Sequence, residues 1–166
     1  MTVNGRVPIT NPATEAELVR LYGNRLVEGF PNQFREWTDT VGLDEIGALI
    51  ARGSAVADFD NDGDLDIVIN SIGGEAVLLQ NQVPDGNWLM IDLGAVIPGT
   101  FAEILLPDGN ILIREVYTGS SYLASEDPRL HFGLGEQEII DQLTLIYPDG
   151  TRQIYQAIAA NQIWRP

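Results

Sequence analysis

The sequence predicts a mainly β protein with one short helix near its N-terminus. From residue 24 onwards, short apolar or alternating segments are separated by turn residues, as in half-buried strands joined by tight connections. Three of these connections are Pro-Asp-Gly turns, at residues 84–86, 107–109 and 148–150. In such turns proline presets the bend and glycine accepts a positive φ.

The composition is that of a folded, strongly acidic protein. The chain has 166 residues, of which 45% are hydrophobic, and a formal net charge of -15. This length suits one domain or two small ones. The charge opposes binding to nucleic acid or to anionic membranes and agrees with bound cations or basic partners. The absence of cysteine excludes disulfides.

The first residues and the hydropathy of the chain bear on targeting. Residues 1–6 lack the apolar core of a signal peptide, and no apolar run approaches the length that spans a membrane. We therefore expect no membrane span, and no signal peptide within this chain.

The predicted helix covers residues 11–23. Asn11 suits the N-cap and Pro12 the first turn, and acidic residues follow near the N-terminal end. Apolar side chains between positions 13 and 22 give one face, and Gly23 would end the helix. We expect this helix to pack against a sheet.

Residues 24–82 predict four or five short strands. Segments 24–28 and 33–37 flank a turn at residues 29–32 and form a predicted hairpin. A longer connection, 38–52, leads to a second predicted pair of strands, 54–57 and 65–70, and segment 75–80 closes the set.

Five aspartates alternate within the nine residues between those two strands, with a glycine at the sixth position. They are Asp58, Asp60, Asp62, Asp64 and Asp66, and the glycine is Gly63. At about 5 Å and an effective dielectric near 20, each pair of carboxylates repels by about 3 kcal/mol before salt screening. A tight loop of this kind needs a cation, and oxygen ligands alone favour Ca²⁺ over zinc or copper.

The loop resembles the first half of an EF-hand and then departs from it. In EF-hands position twelve is a bidentate glutamate, whereas here it is Ile69. The flanking segments also predict strands rather than helices. We therefore expect a calcium-binding hairpin. Its ligands would be the side chains of Asp58, Asp60, Asp62 and Asp66 and the main-chain carbonyl of Asp64. The alternative is a solvated acidic turn without metal.

The first half of the chain resembles an FG-GAP/VCBS-type repeat. The resemblance rests on Asn24-Arg25-Leu26, Thr40-Val41-Gly42-Leu43 and the run from Arg52 to Asp66. It implies one blade of a β-propeller over residues 24–82, with calcium in the aspartate loop. A propeller needs roughly four to eight blades, so one copy cannot close a ring.

The second half, residues 87–166, predicts six or more short strands and thus a small β-sandwich or barrel. It resembles the ASPIC/UnbV family in several runs, namely Asn87-Trp88-Leu89, Arg114-Glu115-Val116, Gly119 to Ser125, Arg129 to Gly135 and Tyr147 to Gly150. The two resemblances divide the chain into an N-terminal segment, 1–23, a blade, 24–82, and a β domain, 87–166. They imply an extracellular or cell-surface calcium-binding protein of the interaction type.

The sequence favours a protein without catalysis. His131, the single histidine, lies in a strand pattern, and no nucleophile-elbow motif surrounds Ser120, Ser121 or Ser125. Gly133-Leu134-Gly135 does not open a helix, so nucleotide binding is not supported. We assign no catalytic and no cofactor-binding residue.

The expected function is a calcium-stabilised, non-enzymatic interaction or adhesion module. Its partner would be a protein or a carbohydrate, and open strand edges would permit a homo-oligomer. Four aromatic residues, Trp88, Tyr117, Tyr122 and Trp164, could form a ligand patch or belong to the core. The alternative function is a calcium-dependent enzyme, or a fragment of one, with a pocket that groups His131 with Glu126 or Asp127.

Overall fold

The computed structural model describes residues 16–25, 29–82 and 86–166, and this part of the chain is built almost entirely from β-strands. Its one helical segment is a single 3-10 turn, Leu43–Ile46. The predicted mainly β class is therefore confirmed. The described residues form two compact units. Unit 1 contains the described residues up to Ser54, with 68–78 and 121–123, and unit 2 contains 55–67, 79–120 and 124–166.

Unit 1 begins with two small antiparallel pairs. Strand β1, Glu17–Leu18, pairs with β4, Ala48–Leu49. Strand β2, Tyr22–Asn24, pairs with β3, Phe34–Glu36. The hairpin around residues 29–32 is thus present, although its first strand lies earlier than residues 24–28 predict. Residues 26–28 lie outside the described part.

The predicted helix over residues 11–23 is wrong in the part that the structure describes. Residues 11–15 lie outside that part, and the remainder contains strand β1 and most of β2. Pairing with other strands overrides the local helical pattern here. Gly23 is not a helix cap, because it lies within strand β2. A Cβ at this position would lie 2.5 Å from the ring of Trp37. The residue is small because an indole packs against its backbone.

The aspartate loop connects two longer strands. Strand β5, Ala51–Ala57, lies beside β6, Asp66–Ser71, which lies beside β7, Val77–Leu79, in a three-stranded sheet. The loop between β5 and β6 comprises residues 58–65. The strands that the alternating flanks predict are therefore present on both sides of the loop.

Unit 2 contains two further sheets, and its described connections are loops or turns. Four strands form the first sheet in the order β10-β9-β12-β13, and three form the second in the order β11-β8-β14. All neighbours are antiparallel except β14 and β8, which are parallel. The strands are β8 Asn87–Ile91, β9 Phe101–Leu105, β10 Ile111–Glu115, β11 Leu130–Gly135, β12 Ile139–Ile146, β13 Arg152–Ala159 and β14 Gln162–Trp164.

The two sheets of unit 2 share one hydrophobic core. Most of its fully buried members come from β8, β9, β11 and β12 and include Leu89, Ile104, Phe132 and Leu143. The core positions alternate along β8, β9 and β11, so each sheet turns one apolar face to the other. Strand β13 runs to Ala159, and β14 begins at Gln162.

Two of the Pro-Asp-Gly segments form the expected tight turns. Gly109 and Gly150 have φ of 87° and 85°. In each turn the aspartate side chain accepts the backbone N–H two residues later, at 2.9 Å from Asn110 and 2.8 Å from Thr151. The first turn joins β9 to β10 and the second joins β12 to β13. Residues 84 and 85 of the third segment lie outside the described part.

The described residues contain no helix that is long and apolar enough to cross a membrane.

Candidate metal centre

Three aspartates of the loop bring their carboxylates together. Asp58, Asp60 and Asp66 each place one carboxylate oxygen within 4.8 Å of the other two. Asp58 is 1% exposed and Asp66 is 3% exposed, whereas Asp60 lies at the surface. Two acidic side chains are therefore removed from water beside a third.

Asp58 organises the backbone of the loop. Its Oδ1 accepts the N–H of Asp62 at 3.1 Å, and its Oδ2 accepts the N–H of Gly63 at 3.0 Å. The chain can turn back in this way because Gly63 has a φ of 100°, a region that residues with a Cβ rarely adopt. The glycine at the sixth position is thus required by the geometry, as the sequence suggested.

Asp66 closes the loop from its C-terminal side. Its Oδ2 accepts the N–H of Phe59 at 2.9 Å, and its Oδ1 accepts the N–H of Asn81 at 2.8 Å. Asp60 receives the side-chain amide of Gln80 at 2.5 Å. Backbone and amide donors therefore hold all three carboxylates in place.

Asp62 and Asp64 lie in the same loop but outside this group of three. The Oδ1 of Asp62 accepts the N–H of Asp64 at 2.9 Å. Asp62 is exposed and Asp64 is half-buried. The structure therefore separates the five predicted ligands into a convergent group of three and a pair beside it.

The convergent group fits a hard divalent cation. Calcium binds oxygens at about 2.3–2.6 Å, so two oxygens on opposite sides of one ion lie about 5 Å apart. Three oxygens within 4.8 Å of one another could therefore contact one ion together. Oxygen-only donors of this kind suit Ca²⁺, Mg²⁺ or Mn²⁺ rather than zinc.

Arg129, at the residue before β11, is bonded to the aspartate loop. Its Nη1 donates to the side-chain oxygen of Asn61 at 2.7 Å, and its Nη2 donates to the main-chain carbonyl of Asp58 at 2.9 Å. Its Nε donates to Asp127 at 2.7 Å. The hydrogen bond and charge of Asp127 raise the pKa of Arg129, while partial burial opposes the rise.

Two more side chains of unit 2 contact the loop at Gly63. The Nε2 of His131 lies 2.7 Å from the carbonyl oxygen of Gly63. The indole of Trp88 lies against the same residue, because a Cβ at position 63 would fall 2.0 Å from the indole nitrogen. Trp88 is on β8 and His131 on β11, which are neighbouring strands. The loop therefore packs directly on the three-stranded sheet of unit 2.

A pocket of about 170 Å³ lies beside the same residues. His131, Glu126 and Asp127 all line it, as do Arg114 and Tyr117. The polar groups of the first three residues already have partners. Asp127 bonds to Arg129, Glu126 accepts the hydroxyl of Ser120, and His131 contacts Gly63. No described serine is hydrogen-bonded to His131.

The four aromatic residues of the predicted ligand patch have different surroundings. Trp88 packs on Gly63, and Trp164 packs edge-on against Tyr155 with ring centroids 4.7 Å apart. Tyr117 and Tyr122 are exposed, but Tyr122 belongs to unit 1 and Tyr117 to unit 2. Trp88 and Trp164 therefore have packing roles.

Sequence reasoning missed the residues that hold the loop from outside it. These residues are Gln80, Asn81 and Arg129, which lie 15 to 71 positions after the aspartates that they contact. No spacing rule connects such distant positions. One signal was present. Arg129 lies directly before β11 and His131 is two positions later, so in extended backbone the two side chains lie on the same side of the chain, and both contact the loop.

The C-terminal part of the chain matches a known family. Residues 95–165 match the family described as ASPIC and UnbV. This match confirms the resemblance predicted for the second half of the chain and covers most of the two sheets of unit 2.

Three curated relatives share the name cartilage acidic protein 1. The mouse (Mus musculus) and human (Homo sapiens) proteins are each 30% identical to this chain over 121 residues, which is 67% of the chain. The frog (Xenopus tropicalis) protein is 33% identical over 108 residues, or 59% of the chain. The aligned segments make up 16–18% of the relatives' own length, so the chain corresponds to less than a fifth of each relative.

Proposed function

We propose that this chain is a calcium-binding, non-enzymatic interaction module in which the ion stabilises the Asp58–Asp66 loop. The observation that carries the proposal is the convergence of Asp58, Asp60 and Asp66 within 4.8 Å, with two of the three buried. Asp62 and the carbonyl of Asp64 would complete the ligand set. Residues 24–82 would form one FG-GAP/VCBS-like blade around the ion, followed by the ASPIC/UnbV-like domain over residues 87–166.

Electrostatics supports a bound cation. At an effective dielectric near 20, two carboxylates 4.8 Å apart repel by about 3.5 kcal/mol. Arg129 contacts Asp58 at the main-chain carbonyl rather than at the carboxylate. The guanidinium of Arg129 also forms an ion pair with Asp127, which partly neutralises its positive charge. A divalent ion would cancel the repulsion directly, and its binding energy would add to the free energy of unfolding.

The partner would be a protein or a carbohydrate outside the cell or at its surface. The similarity to proteins named cartilage acidic protein 1 and the net charge of -15 support a basic or cation-bridged partner. Edge strands such as β10 and β13 offer backbone groups that a second chain could pair with. A homo-oligomer through such edges is part of the proposal.

Thermal unfolding tests the proposed ion. The chain is stripped of metal and then unfolded alone, with increasing calcium, and with magnesium. We expect the melting temperature to rise with calcium concentration as ligand linkage requires, and magnesium to have a much smaller effect. The double substitution Asp60→Asn plus Asp62→Asn should remove the calcium response. If the melting temperature of the parent does not change with calcium concentration, the proposal is refuted.

A second candidate, a calcium-dependent enzyme, is supported by the pocket that groups His131, Glu126 and Asp127. Loss of calcium would loosen the loop against His131 and change that pocket. The test is calcium-dependent hydrolysis of simple ester and glycoside substrates by the parent and by Glu126→Gln. Hydrolysis that requires both calcium and Glu126 would support an enzyme. A rate of hydrolysis no higher than that in buffer alone would oppose it.

A further inference from the structure

We infer that Arg129 is a positioning residue for the aspartate loop, and that its contacts set the affinity of the loop for a cation. The inference rests on the proposed calcium site and adds the residue that regulates it. Arg129 is not a ligand, since a guanidinium carries only donors. It acts by fixing the backbone from which the ligands project.

The contacts of Arg129 lie on both sides of the exposed ligand Asp60. Its Nη2 holds the carbonyl of Asp58, and its Nη1 holds the side chain of Asn61. These two residues lie on either side of Asp60. One rigid, planar group therefore holds the main-chain carbonyl of the buried ligand Asp58 and the side chain of Asn61, the residue directly after the exposed ligand Asp60.

Asp127 fixes the guanidinium itself. Its Oδ2 accepts Nε of Arg129 at 2.7 Å and lies 2.5 Å from Nη2, while its Oδ1 accepts the backbone N–H of Arg129 at 2.9 Å. Both side chains are largely removed from water, with 21% and 15% of their surfaces exposed. A planar fork that is held in this way orders the loop at small entropic cost.

The geometry distinguishes positioning from a simple charge effect. A positive charge beside a cation site repels the cation, so removal of the charge alone would tighten binding. If Arg129 positions the loop, its removal must weaken binding instead. Lysine would keep the charge, but its single ammonium cannot reproduce the fork that reaches Asp58, Asn61 and Asp127.

The contacts at Gly63 act at the opposite end of the same turn. His131 and Trp88 meet Gly63 there, whereas Arg129 meets residues 58 and 61. Three side chains, those of Arg129, His131 and Trp88, thus hold the loop, and among these three Arg129 alone contacts the carbonyl of a proposed ligand. This is why the inference concerns Arg129.

Calorimetric calcium titration of the full chain tests the inference. The variants are Arg129→Lys and Arg129→Gln, with Arg165→Gln as the matched control. Arg165 also pairs with an aspartate in unit 2, Asp92, but is 71% exposed. Loss of a group that orients metal ligands typically lowers affinity about tenfold or more. We expect at least that loss for both Arg129 variants and less than a twofold change for Arg165→Gln.

Two further measurements separate positioning from general destabilisation. Hydrogen exchange of the calcium-free protein should show faster exchange at the amides of Asp62 and Gly63 in Arg129→Lys, with the core strands unchanged. Asn61→Gly removes one acceptor of Arg129 and keeps the positive φ of 61° at that residue. It should weaken calcium binding even if the Arg129 variants do not fold.

Each outcome decides between the two proposals. If the parent binds calcium and Arg129→Lys binds equally well, or Arg129→Gln binds more tightly, the inference is wrong while the calcium site stands. Weaker binding by both Arg129 variants and by Asn61→Gly, with parent-like binding by Arg165→Gln, supports it. If the parent binds no calcium, the proposed function fails and the inference falls with it.

Discussion

The Nε2 atom of His131 lies 2.7 Å from the carbonyl oxygen of Gly63. A carbonyl oxygen can only accept, so Nε2 must carry the hydrogen in this contact. The contact joins strand β11 to the aspartate loop at Gly63 and gives the single histidine of the chain a backbone partner there.

The first prediction concerns this contact. His131→Leu should lower the free energy of unfolding by about 1–3 kcal/mol, because the half-buried carbonyl of Gly63 loses its donor. His131→Gln can still donate and should lose less. Urea denaturation of both variants gives the comparison. Equal losses for leucine and glutamine would show that the hydrogen bond contributes nothing.

Asp58 and Asp60 should respond differently to neutralisation. Asp58→Asn places an amide group against the N–H of Asp62 or Gly63, so we expect a loss of about 1–3 kcal/mol even without calcium. Asp60 is exposed, and Asp60→Asn should leave the calcium-free protein nearly unchanged while abolishing its stabilisation by calcium. Denaturation with a chelator and with calcium measures both effects. A similar calcium-free loss for the two variants would contradict the buried role of Asp58.

Gly63→Ala and Gly109→Ala separate strain from steric overlap. Both glycines have positive φ, 100° and 87°, but only at Gly63 would a Cβ overlap the indole of Trp88. Gly109→Ala should cost about 1–2 kcal/mol, the usual penalty for a left-handed residue. Gly63→Ala should cost more and should change the fluorescence of the indole. If thermal unfolding ranks the two variants equally, the packing of Trp88 on Gly63 is not as described.

Asp92 should contribute to the acid sensitivity of unit 2. The N–H of Gly94 first, and then the side chain of Arg165, lower the pKa of Asp92 below its ordinary value of 3.8. A lowered pKa in the folded state stabilises the protein above the unfolded pKa, and the contribution is lost as pH falls through the folded pKa. The ion pair is partly exposed, so we expect a contribution below about 1 kcal/mol.

The control for that prediction is Asp92→Asn. Its melting temperature should lie below that of the parent at pH 7, and the gap should shrink as the pH falls below about 3.8. Arg165→Gln should show a smaller version of the same behaviour, because the N–H of Gly94 still contacts Asp92. A gap between parent and Asp92→Asn that does not change with pH would rule out the carboxylate as its source.

Local patterns predicted the strands and turns well. Alternating apolar residues identified most strands of unit 2, because each strand there has one face on the shared core. The Pro-Asp-Gly turns at residues 107–109 and 148–150 followed directly from the chemistry of proline and glycine. The aspartate spacing predicted four converging side chains, those of Asp58, Asp60, Asp62 and Asp66, and the structure groups the carboxylates of Asp58, Asp60 and Asp66.

The failures came from contacts between distant residues. The segment before Gly23 has a helical pattern, yet strand pairing and the ring of Trp37 determine its structure. The bonds from Arg129 to Asp58 and Asn61 cross 71 and 68 positions of the chain. No local rule relates such positions, so the residues that hold the loop became visible only in the folded chain.

The parallel pairing of β14 with β8 has a consequence for how the chain folds. Strand β8 is central in its sheet, and the ion pair beside the two strands joins residues 73 positions apart. Closing so long a loop is entropically costly and slows folding. During synthesis β8 therefore leaves the ribosome long before its parallel neighbour exists. The backbone groups on one edge of β8 therefore stay unpaired until Gln162–Trp164 has been synthesised and can pair with them.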